Sequence, residues 1–101
     1  MPRKVIISKR ASVKLDRLLT YLEEEWSEKV RNQFIEKLNR AIRIIKKNPD
    51  SFEGSKLFKG LNRCVVTKQT SLFYKFDKGN IYIISFFDNR QNPERLTKEI
   101  N

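Results

Sequence analysis

The sequence predicts an α+β fold of order βααβββ, with a helical hairpin packed on one face of a small, mostly antiparallel sheet. Three observations carry this. A β-branched apolar run at residues 5–7 opens the chain. Two stripes of helical period follow, joined by only a residue or two. After Pro49 the pattern changes to three strand-like segments. At 101 residues the chain is the size of one domain, and one is expected over 1–101.

The elements follow in order. The first strand spans 3–8, centred on Val5, Ile6 and Ile7, and Ser8 is placed to cap the helix behind it. In the first helix, 9–26, Leu15, Leu18, Leu19, Leu22 and Trp26 make one apolar stripe, with Trp26 expected in the core where the hairpin closes. Ser27 can cap the second helix, 27–48, and Glu28 suits the positive end of its dipole. Phe34, Ile35, Leu38, Ala41, Ile42 and Ile45 form its apolar face, while Arg40, Arg43, Lys46 and Lys47 load its C-terminal half. Asn48-Pro49-Asp50 stops it, because a residue before proline is driven out of the helical region. A polar loop with Gly54 and Gly60 leads into strands at 62–68, 71–77 and 80–88. Gln69-Thr70 is a weak turn signal and Asp77-Lys78-Gly79-Asn80 a strong one. Residues 81–87 are apolar on both faces, which predicts a central strand. With the hairpin on one face, the other is open for function. The tail, 89–101, is polar.

Composition removes several chemistries. There is no histidine to act as a general base or metal ligand, and one cysteine, Cys64, forms no internal disulfide or Cys-type zinc site. Its place in a strand pattern predicts a buried, inert thiol, and a lone thiol fits a reducing, cytoplasmic setting. Asp77 and Asp88 are too few and too far apart for a magnesium site, and no glycine-rich phosphate loop is present. No metal or cofactor is expected. No apolar run is long enough to span a membrane, and residues 1–4 lead into no signal-peptide pattern.

The charge points to partners. With 22 Lys+Arg against 12 Asp+Glu, the net charge is +10, which favours nucleic acid or an acidic protein segment over a membrane. The cations gather in the sheet half. Lys56, Lys59, Arg63, Lys68 and Lys75 lie between Gly54 and Phe76 with no acidic residue among them, whereas Glu23, Glu24, Glu25, Glu28 and Glu36 lie on the helices. Phe73, Tyr74 and Tyr82 interleave with these cations, as stacking and phosphate contact require. Arg90 follows the central strand, a rigid mount for bidentate contact with an anion. The candidate target-binding set is therefore Lys56, Lys59, Arg63, Lys68, Tyr74, Lys75 and Arg90. A nuclease built from these residues would work without metal or histidine, using the 2′-hydroxyl of RNA as nucleophile and cations on the transition-state charge. Tyr74, Tyr82, Lys68 and Lys75 are its available proton carriers.

These residues resemble the RelE/ParE superfamily of bacterial type II toxin–antitoxin toxins over nearly the whole chain. The resemblance rests on Ala11-x-x-x-Leu15, Tyr21-Leu22-x-x-x-Trp26-Ser27 and Phe34 in the hairpin. It continues in Ser71-Leu72-Phe73-Tyr74-Lys75-Phe76, Ile81-Tyr82-Ile83-Ile84 and the ending Phe87-Asp88-Asn89-Arg90-Gln91-Asn92-Pro93. RelE-like members cleave messenger RNA in the ribosome. On that reading the catalytic set is Arg90, which matches the last-strand arginine, with Lys68 and Arg63. Ser71 stands where that branch has an arginine, and the tail after Arg90 has no aromatic residue or histidine. ParE-like members, which poison DNA gyrase, lack the full constellation, and the resemblance leans toward them, the plasmid-stabilisation branch. Either branch implies a cognate antitoxin with a flexible, acidic segment that folds on binding. Three readings stay open: a growth-arresting toxin that binds a replication target, a ribosome-dependent endoribonuclease, and a non-toxic basic binding module.

Overall fold

A computed structural model describes residues 3–52, 54 and 60–88 of the chain. Strand β1 (Lys4–Ile7) leads into helices α1 (Lys9–Glu25) and α2 (Glu28–Lys47), then a 3-10 turn at Pro49–Ser51. Strands β2 (Asn62–Val65), β3 (Thr70–Phe76) and β4 (Asn80–Asp88) follow. The sheet order is β1-β4-β3-β2. The helical hairpin carries the chain back across the sheet, so β1 runs parallel to β4, with Val5 opposite Ile81 and Ile7 opposite Ile83. The other two pairings are antiparallel. As its two-sided apolar pattern predicts, β4 is central.

Both helix starts are capped as the sequence indicates. The Ser8 hydroxyl accepts from Ala11 N at 3.0 Å and donates to Ile84 O at 2.9 Å, tying the start of α1 to β4. Ser27 accepts from Val30 N at 3.1 Å. Losing a cap costs about 1 kcal/mol. Ser8→Ala also strands the Ile84 carbonyl, so it is expected to lower the urea-unfolding free energy by about 2 kcal/mol, against about 1 for Ser27→Ala. Equal losses would show that the Ile84 bond contributes nothing.

The core lies between the hairpin and the sheet. Ala11, Phe34, Leu38, Ala41 and Ile45 meet Cys64, Leu72, Tyr74, Ile81, Ile83 and Phe86. Between β3 and β4 the register shifts. Phe73 opposes Ser85 and Tyr74 opposes Ile83, so Ile84 is the extra residue of a β-bulge.

Three sequence expectations are corrected. Strand β2 ends at Val65, not at residue 68, because the Thr67 hydroxyl accepts from Gln69 N and Thr70 N and closes a tight turn. The sheet face away from the hairpin is not wholly open. Leu61, Phe73 and Phe87 form a second apolar cluster with Ile84 packed against it, the two rings edge to face at 6.5 Å. Trp26 is not core: it is 69% exposed. Its phase continues the α1 stripe, but it lies past the last residue of the helix, at the hairpin tip, where an open cleft begins.

Candidate functional site

That cleft, about 620 Å³ in volume, lies between the tip half of the hairpin and the end of the sheet where the β2–β3 turn meets the end of β4. Its α1 wall is one helix face: Lys14, Arg17, Leu18, Tyr21 and Leu22 recur at i, i+3, i+4, i+7 and i+8. Val30, Phe34 and Lys37 face them from α2, with Phe86 and Phe87 from β4. Leu18, Leu22, Phe34 and Phe86 supply apolar surface, and Tyr21 and Trp26 stand exposed beside it. Lys14, Arg17 and Lys37 bring positive charge, against one carboxylate, Asp88. Lys14 Nζ reaches the buried Ser85 hydroxyl at 3.4 Å, anchored at the bulge. An apolar trough with cationic walls can take an amphipathic segment bearing carboxylates. The sequence reading missed it, although the Lys14, Arg17, Tyr21 stripe beside Leu18 and Leu22 was a signal available on α1.

The residues singled out from sequence are dispersed. Lys56, Lys59 and Arg90 lie outside the described residues, as does the tail. Arg63 and Lys75 share the sheet face away from the hairpin, by the β2–β3 register. Arg63 Nε donates to the Ser71 hydroxyl at 3.1 Å. Lys68 is exposed in the β2–β3 turn. Lys75 Nζ lies 5.8 Å from the ring centroid of Tyr82, its cross-strand neighbour. Tyr74 is a correction. It is fully buried on the hairpin side, its hydroxyl donates to Pro49 O at 2.6 Å, and burial pushes its pKa far above the phenol value. A ring sealed in the core neither stacks on a base nor carries protons to a substrate.

Tyr82 donates to Asp77 Oδ2 at 3.1 Å, and that bond raises the phenol pKa. Asp77 also accepts from Gly79 N and Asn80 N, pinning the β3–β4 turn. The Gly79 N–H, chiefly, then Tyr82 and Asn80, hold its carboxyl below the ordinary value. A depressed carboxyl stabilises the fold above its unfolded pKa of about 3.9, and that contribution fades as pH falls through the lower folded value. Asp77→Asn is therefore expected to flatten the acid limb of the stability curve. An unchanged limb in urea titrations at stepped pH would show the turn has no such role.

Cys64 is buried as expected, and desolvation pushes its thiol up to about 11. Among the described residues no group of His, Cys, Asp or Glu could hold a metal ion, and no helix is long and apolar enough to cross a membrane.

The fold has solved counterparts. A chain of the chromosomal ParDE TA system from P. aeruginosa superposes with a TM-score of 0.70 at 10% identity, covering 85% of this chain and 95% of that one. The YoeB dimer from Staphylococcus aureus matches with a TM-score of 0.60 at 17% identity, covering 84% and 94%. No curated protein matches the sequence. The family profile described as the ParE toxin of the type II toxin–antitoxin system, parDE, matches residues 5–93. Since that match runs from β1 through all the elements of the sheet and hairpin, the chain belongs to the ParE toxin family of type II toxin–antitoxin systems.

Proposed function

We propose that this ParE-family toxin arrests growth in the cytoplasm by binding an essential replication protein, with DNA gyrase as the first target to test, and that a cognate antitoxin silences it by laying an acidic, amphipathic segment in the hairpin cleft. The observation that carries the antitoxin half is the pairing of an apolar floor with Lys14, Arg17 and Lys37 in one trough. Such a trough rewards a segment that alternates apolar and acidic side chains and folds as it docks.

The target half is supported by how the described candidate residues of the sheet are used. Arg63 is tied to Ser71, Tyr74 is sealed in the core, and the chain has no histidine. A binding toxin needs no acid–base pair, whereas an RNA-cleaving one needs proton carriers near neutral pH. The test is pulse labelling of DNA, RNA and protein in parallel after induced expression in a bacterial host. DNA synthesis is expected to fall first, followed by gyrase inhibition in vitro. Immediate collapse of protein synthesis, abolished by Arg63→Ala, Lys68→Ala or Arg90→Ala in folded protein, would establish the endoribonuclease reading instead. Unimpaired growth would establish the non-toxic module.

A further inference from the structure

The C-terminal half of α2 presents a second charged surface, apart from the cleft. Arg40, Arg43, Lys46 and Lys47 surround Ile44 in a shallow depression of about 350 Å³. None of these residues lines the cleft. Helical spacing puts the four cations on the arc opposite Leu38, Ala41 and Ile45, which are buried against the sheet. From Lys37 to Lys47 the helix has no acidic residue; the nearest along the chain are Glu36 and Asp50. Among the described residues none of the four side chains has an ion-pair partner. The mount is rigid. Arg3 Nη1 donates to Lys46 O at 3.3 Å and its Nε to Asp77 O at 3.0 Å, fastening the end of α2 to the sheet.

We infer that this face of α2 binds the phosphate backbone of duplex DNA, whichever target the toxin poisons. The eight residues from Arg40 to Lys47 span about 10 Å of helix, a length over which a DNA duplex presents about six phosphate charges. The face has no aromatic side chain, so it offers no stacking platform for single strands. It cannot insert into lipid, because the apolar side of α2 is already committed to the core. Ile44, 43% exposed at the centre of the cations, suits contact with deoxyribose, which lacks the 2′-hydroxyl.

The experiment is fluorescence anisotropy of a labelled DNA duplex of arbitrary sequence, titrated with the full chain across a series of KCl concentrations. The patch variant carries Arg40→Gln, Arg43→Gln, Lys46→Gln and Lys47→Gln. The control variant carries Lys9→Gln, Arg10→Gln, Arg17→Gln and Lys29→Gln, four exposed cations on α1 and the first turn of α2, and loses the same net charge. The patch variant is expected to bind at least about tenfold more weakly, with the slope of log K against log salt reduced by about 3 to 4. The control is expected to keep most of the wild-type slope. If the quadruple change unfolds the helix, Arg40→Gln with Arg43→Gln spares the last turn and is expected to reduce the slope by about 2. Equal losses in patch and control variants would overturn the inference, since bulk charge would then suffice. Tighter binding of a single-stranded RNA than of the duplex would overturn it as well.

Discussion

Trp26→Ala is expected to weaken antitoxin binding by about 30-fold or more while changing the stability of the toxin by less than about 0.5 kcal/mol. The two halves have separate causes. Trp26 is 69% exposed and makes little of the core, so truncating it opens no cavity. In a complex the same ring would lie beside Tyr21 at the mouth of the cleft, and a partner segment seated there would bury much of its surface. Aromatic anchors of this kind dominate binding energy, at about 2 kcal/mol or more each.

The cationic walls should behave differently. Replacing Lys14, Arg17 and Lys37 by glutamine is expected to slow association and flatten its salt dependence, because charge at an interface steers encounter more than it holds the complex. Trp26→Ala should act mainly on dissociation. Interferometry with immobilised antitoxin, at low and physiological salt, separates the two. If Trp26→Ala dissociates as slowly as wild type, the antitoxin does not use the cleft.

Trp26 and Tyr74 show where sequence reading stops. The helical hairpin was legible because its signals are local: Ser8 and Ser27 cap the adjacent turns, and the apolar stripes need only a 3.6-residue period. The central position of β4 was legible because a strand apolar on both faces must be covered on both. Trp26 extends the α1 stripe without a break, and only the tertiary arrangement reveals that the cleft opens at its end. Tyr74 lies in a stretch whose charged residues are all cations, with Lys75 next to it, yet the period of two groups it with Leu72 and Phe76, both on the hairpin side. The cleft is assembled from α1, α2, the β2–β3 turn and β4, segments far apart in sequence, so no single window displayed it.

Tyr74→Phe is expected to cost about 1 to 3 kcal/mol and Tyr74→Ala about 3 to 5 kcal/mol in urea unfolding. The first value is the hydrogen bond. The Tyr74 hydroxyl reaches Pro49 O at 2.6 Å, inside the fold, where the carbonyl has no water to replace it. The second adds the ring, which is completely buried and lies 6.3 Å from the ring of Phe76. For a domain with about 5 to 15 kcal/mol of stability, the alanine variant stands close to unfolding. The damage should be uneven. Pro49 opens the short turn that follows α2, so losing its bond should loosen that turn first, seen as faster hydrogen exchange at Ser51 N, which bonds to Asn48 O. The phenylalanine variant also tests function. A residue that only holds the core keeps toxicity once the protein is folded, so Tyr74→Phe should still arrest growth at a temperature where its fold persists. Loss of toxicity with undiminished stability would mean that the hydroxyl takes part in the chemistry, and that the core leaves its Pro49 bond during action.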